Sequence, residues 1–130
     1  MRVLLPTGWP RPRGYSNGVA ARGEIVFVAG MVGWDAAGQF ASDTLAGQAR
    51  QALENVVAVL REAGAKPEHI VRMTWYVIDK RAYLAAAAEL GAVYREIIGS
   101  YNAAMSAVEV SALMEDAALV EIEVTAVVPD

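Results

Sequence analysis

Two glutamates near the C-terminus, Glu121 and Glu123, alternate with Val120, Ile122 and Val124. That spacing puts both carboxylates on one face of a strand. A carboxylate held beside a cleft can orient an attacking water and take its proton. Glu109 lies in a second such run, Ser106–Leu113. If the two runs form a hairpin about Met114-Glu115-Asp116-Ala117, Glu109 faces Glu121 or Glu123. Like charges across a ladder repel, so a solvated acidic face and a working carboxylate are equally compatible with the pattern. Other chemistry is scarce. His69 is the one histidine and there is no cysteine, too few parts for a Cys/His zinc site or a catalytic triad. His69, in Lys66-Pro67-Glu68-His69-Ile70, is expected at the surface. Gly30, Gly33 and Gly38 lack the spacing and the lysine of a phosphate loop. Trp9, Trp34 and Trp75 are expected to pack rather than to stack on a ligand.

These side chains need elements to hold them. Pro6, Gly8, Pro10, Pro12 and Gly14 make the N-terminal stretch an extended arm or loop. Val19–Ala21 and Glu24–Ala29 flank Arg22-Gly23 as a tight hairpin, and Gly30–Gln39 is a loop. Ser42 or Asp43 caps a helix whose apolar positions are Leu45, Ala49, Ala52, Leu53, Val56, Leu60 and Ala63, with Gly64 ending it. Ile70–Ile78 is a strand. A second helix runs from Lys80 to Ile98, with Gly99 just beyond it. Strands at Ser106–Leu113 and Leu119–Val128 close the chain. The order ββαβαββ predicts one α+β domain over residues 1–130: a mixed sheet with both helices on one face.

The chain has 130 residues, 55% hydrophobic and 20% charged, with net charge −4. Disorder is excluded by this apolar content. The acidic balance argues against a nucleic-acid partner, and no basic groove, histidine pair or metal cluster supports a ribonuclease. No apolar run reaches the roughly 18–20 residues of a membrane span, and the proline-rich start is unlike a secretory signal, so a cytoplasmic protein without a membrane partner is expected. Alanine and valine nonetheless make up about a third of the residues. Ile25–Ala29 is apolar on both faces, Tyr76 and Ile78 sit opposite Trp75 and Val77, and Ala107 and Leu113 sit opposite Val108. A large apolar sheet face would be left bare, which predicts a homo-oligomer.

Taken together, these segments resemble the RidA (YjgF) family over nearly the whole chain. The likeness is carried by Gly14-Tyr15-Ser16-Asn17-Gly18-Val19, by Phe27-Val28-Ala29-Gly30 with Asp35 and Gly38, and by Gln48-Ala49-Arg50-Gln51-Ala52-Leu53-Glu54-Asn55. It extends to Ser106-Ala107-Val108-Glu109-Val110 and Val120-Glu121-Ile122-Glu123-Val124-Thr125-Ala126. The resemblance implies a chorismate-mutase-like fold, a homotrimer, and a small-molecule cleft between each pair of subunits. It also implies cofactor-independent hydrolysis of imines and enamines to 2-keto acids and ammonia, with no metal. In the deaminases a glutamate on the last strand positions water, an arginine clamps the substrate carboxylate, and a tyrosine lines the pocket.

Glu121 matches that glutamate as the catalytic candidate, and Tyr15 and Gly30 match ligand-binding positions. Met105 stands where the arginine is expected, Ala107 replaces a common cysteine, and Met31 a common glutamine. Losing a bidentate, charge-assisted contact costs on the order of 2–5 kcal/mol of binding. Three readings follow: a binder of a relatively apolar metabolite that hydrolyses an imine-type bond through Glu121 and water; an ordinary 2-iminoacid deaminase with Arg11, Arg13 or another cation replacing the lost one; and a non-catalytic ligand sensor or protein-binding module.

Overall fold

The computed structural model describes residues 1–130. In chain order it has strands β1 (Arg2–Leu4), β2 (Gly18–Ala20) and β3 (Glu24–Val32), helix α1 (Leu45–Glu62) and strand β4 (Ile70–Val77). Helices α2 (Lys80–Ala85) and α3 (Ala87–Ile97) follow, then strands β5 (Ala104–Glu109) and β6 (Val120–Val128). The main sheet has the order β3-β6-β4-β5. β6 is antiparallel to both of its neighbours, and β4 and β5 are parallel.

This is the expected α+β architecture, although β3 runs on to Val32, into the expected Gly30–Gln39 loop, and β5 spans Ala104–Glu109 rather than Ser106–Leu113. Three further differences are local. The N-terminal arm contains a strand, and β2 pairs with β1, Val3 opposite Val19, rather than with β3 across a hairpin. The second helix is broken at Ala86, inside Ala85–Ala88. A run of identical good helix formers carries no side-chain signal for a boundary there. The two closing strands are not a hairpin: β4 lies between them. Glu109 therefore lies opposite Val77 of β4, and its carboxylate accepts from the Lys80 N–H at 2.8 Å. With Asp79, which accepts from the N–H groups of Arg81 and Ala82, it caps α2. The predicted clash of Glu109 with Glu121 or Glu123 is absent because strand order, which alternation does not encode, separates them.

The core lies between the sheet and the helices. Val120, Ile122, Val124 and Ala126 of β6 and Met73, Trp75 and Val77 of β4 are buried against Ala49, Ala52, Leu53, Val56 and Leu60 of α1. Thr44, next to the two expected caps, opens α1 by accepting from the Gly47 N–H. Two polar side chains of α1, seven residues apart and so on one face, fasten the sheet to it. Asn55 donates to the carbonyls of Val32 and Trp34, just past β3. Gln48, 1% exposed, donates to the carbonyls of Ser42 and Ala117 and accepts from the Leu119 N–H at 2.8 Å.

The other sheet face is mixed. Ile25, Phe27 (76% exposed) and Val108 leave apolar surface toward the two edges. Between them β4 and β6 present Arg72, Thr74, Tyr76, Glu121 and Glu123, so the expected apolar face is confined to the outer strands. Gln48→Leu strands two carbonyls and an N–H inside the protein. It is expected to lower stability by about 3 kcal/mol, read as a shift of the urea midpoint at unchanged slope.

Candidate functional site

The two central carboxylates differ in what holds them. The Tyr76 hydroxyl donates to Glu123 Oε1 at 2.6 Å, and this hydrogen bond, with the nearby negative charge, raises the phenol's pKa. Glu123 is thus engaged by its neighbour on β4. Glu121, opposite Tyr76 on β4 and Val32 on β3, has no protein hydrogen-bond partner. It folds against β3 at Gly30, where a Cβ would stand 2.7 Å from the Glu121 carboxyl carbon. Gly30 lies in the β-bulge between Val28 and Met31, a distortion that re-aims a strand next to a functional group. Glycine here lets the carboxylate sit on bare backbone. Met31, one residue on, lies opposite Ile122 and packs against the core.

The remaining candidates gather elsewhere. Tyr15, Met105 and Ala107 line a cavity of about 620 Å³ on the helix side of the β5 edge. The N-terminal loop reaches it because Ser16 bridges to β5: its N–H donates to the Ala103 carbonyl at 2.9 Å, and its hydroxyl to the Asn102 carbonyl at 2.8 Å. Met105 lies opposite Met73 and Ala107 opposite Trp75, on the sheet face that the helices cover. The other walls come from Tyr83 of α2 and Leu90 and Tyr94 of α3. Within one chain, the sheet therefore separates Met105 and Tyr15 from Glu121 and Gly30.

Arg13 lines the same cavity, whereas Arg11 lies at a smaller one beside Leu4 and Pro12. Arg95 of α3 also lines it; the sequence gives no sign of this, because an arginine on a helix normally reads as part of a solvated face. Trp75 contributes a wall as well as core packing, meeting Tyr83 edge-on at 6.1 Å between ring centroids. His69, expected at the surface, is half-buried, its Nδ1 accepting from the Lys66 N–H. No cluster of three His, Cys, Asp or Glu side chains stands within reach of one metal ion.

The sequence as a whole matches known proteins. Residues 10–128 match the family model described as Endoribonuclease L-PSP. The chain belongs to the Rid family. A RutC family protein of Pyrococcus horikoshii is 35% identical over 126 residues, covering 95% of each chain. A protein of Salmonella typhimurium named 2-iminobutanoate/2-iminopropanoate deaminase is 35% identical over 108 residues, covering 81% of this chain and 79% of its own. Among solved structures, the Rid family protein YyfB of Yersinia pestis superposes with a TM-score of 0.84 at 38% identity, over 98% of both chains. The fold of this Rid protein is thus that of its relatives.

Two phenols shape the cavity's charge. Burial pushes Tyr94 up to about 12, and its hydroxyl donates to the Tyr101 carbonyl at 2.7 Å. Burial also raises Tyr83. Both are neutral near pH 7, and none of the lining residues is acidic, so Arg13 and Arg95 supply all of the cavity's side-chain charge. The folded chain keeps the Tyr94 proton where the unfolded chain, near the ordinary value of 10.0, has released it. That contribution is complete below pH 10 and is lost as pH rises toward 12. Tyr94→Phe is therefore expected to lose less stability than the native chain between pH 10 and 12, followed by urea denaturation at each pH.

Proposed function

We propose that this Rid protein is a cofactor-independent hydrolase of imines and enamines, working as a homotrimer with its sites between subunits. The observation that carries this reading is the division of the matched residues. Tyr15 with Met105 lies at the β5 edge, and Glu121 with Gly30 lies on the opposite sheet face near β3. One chain holds two halves of a site, and a neighbouring copy is the simplest supplier of the missing half. The exposed Ile25, Phe27 and Val108 give such a neighbour apolar surface to cover.

In this reading the cavity holds the substrate, and Glu121 of an adjoining subunit orients a water toward the carbon of the C=N bond. Glu121 accepts a proton as the water oxygen bonds to carbon. Glu121 passes that proton to the nitrogen, and the hydroxyl proton follows by the same carboxylate as the C–N bond breaks and the C=O forms, giving a keto acid and ammonia. An enamine enters the same route after tautomerising to its imine. Arg13, which lines the same cavity as Met105, supports the deaminase reading over a purely apolar binder, because it gives that cavity a guanidinium. A guanidinium suits a carboxylate through its planar fork of donors.

The purified protein is expected to speed ammonia release from imines formed in situ by an amino-acid oxidase. Glu121→Gln should lower kcat by about 100-fold or more, and Arg13→Gln should chiefly raise KM. No acceleration with any imine, or a fully active Glu121→Gln, refutes the enzyme and leaves a ligand-binding module. Light scattering should give three times the 13.8 kDa chain mass. Phe27→Asp should lower that mass and abolish turnover together, with the chain's circular dichroism unchanged.

A further inference from the structure

The cavity beside β5 is graded. Its deep wall is formed by the buried Trp75 and Leu90, with Met105, Tyr83 and Tyr94 half-buried above them, while Arg13 and Arg95 are exposed at its rim. Arg95 reaches the cavity from its own helix. Its side chain runs back along α3, and a Cβ on Gly91 would stand 3.3 Å from its Nη1. Glycine inside a helix costs stability, and here it leaves room for the guanidinium. Neither Arg13 nor Arg95 is ion-paired; the chain's ion pair joins Arg50 to Glu96.

Trp75, 2% exposed and lining this cavity, carries the one buried side-chain polar atom without a hydrogen-bond partner, its indole Nε1–H. Trp75, Tyr83, Leu90, Tyr94 and Met105 give the cavity a broad apolar and aromatic wall, more than a four-carbon acid covers.

We infer that the cavity takes a 2-imino acid, or its 2-keto acid product, with an aromatic side chain, its carboxylate between Arg13 and Arg95 and its ring against Trp75, Leu90 and Met105. The assignment deepens the hydrolase reading by naming its substrate class. Arg95 thereby becomes a specificity-determining residue, one that the replacement of the inner arginine by Met105 makes necessary. The charged end of the ligand sits at the mouth and its apolar body points inward.

Binding tests this independently of turnover. By calorimetry, phenylpyruvate should bind the native protein at least tenfold more tightly than 2-oxobutanoate, and at least tenfold more tightly than neutral phenylacetamide. Arg95→Gln should weaken phenylpyruvate at least tenfold and leave phenylacetamide unchanged. In a nitrogen-15 spectrum, one of the three indole N–H signals should move on adding phenylpyruvate. That signal should be the one missing from Trp75→Phe. Equal binding of the two keto acids, an unaffected Arg95→Gln, or a still Trp75 signal overturns the assignment. If small imines are hydrolysed but phenylpyruvate does not bind, the assignment fails while the hydrolase stands. Tight, Arg95-dependent binding without turnover of any imine does the reverse.

Discussion

The buried amide of Gln48 is the constraint on which most of this architecture rests. From the first turn of α1 it satisfies two carbonyls and one N–H in the segments that lead into α1 and β6. Its whole bonding capacity but one acceptor lone pair is used, so it fixes the segments without leaving a buried polar group exposed to the apolar core. Asn55, two turns later, does the same for the chain leaving β3. The two strands so fastened are the pair that carry Gly30 and Glu121. Helix α1, which contributes no residue to the cavity, thus sets the position of the Glu121 carboxylate.

The sheet then acts as a partition. Alternation along β6 turns Val120, Ile122 and Val124 toward the helices and Glu121 and Glu123 away from them, and alternation along β5 does the same for Met105 and Ala107. Insertion of β6 between β3 and β4 brings two carboxylates and a phenol together on the uncovered face. Of these, Tyr76 occupies Glu123 and leaves Glu121 unpaired. On the covered face the β5 edge stays open, and the loop holding Tyr15 is clipped to it by the hydrogen bonds of Ser16. Both arrangements are fixed by hydrogen bonds between residues far apart in the chain.

At position 105 the side chain is apolar, and the cavity's positive charge sits instead at its mouth. A thioether beside Trp75 and Met73 extends the core toward the cavity, while Arg13 and Arg95 meet solvent at its mouth. Guanidinium groups at a rim keep most of their hydration, so the arrangement avoids the penalty of burying an unpaired charge. Neutral phenols beneath them leave that positive charge uncompensated.

The sequence alone determined the strands and helices that bury apolar side chains, because a period of two or of 3.6 is written in the order of residues. It also determined the family, through runs such as Gln48–Asn55 and Val120–Ala126. Glu121, Tyr15 and Met105 could be named for the same reason. Tertiary structure alone decided the strand order, since alternation says which face a residue takes but not which strand lies beside it. For that reason the Glu109 carboxylate caps α2 instead of facing Glu121, and Met105 and Glu121 stand on opposite faces of the sheet. It alone also brought Arg95, remote in sequence and ordinary in its own helix, to the cavity that holds Arg13. Distance between residues far apart in the chain is a property of packing, and no local pattern records it.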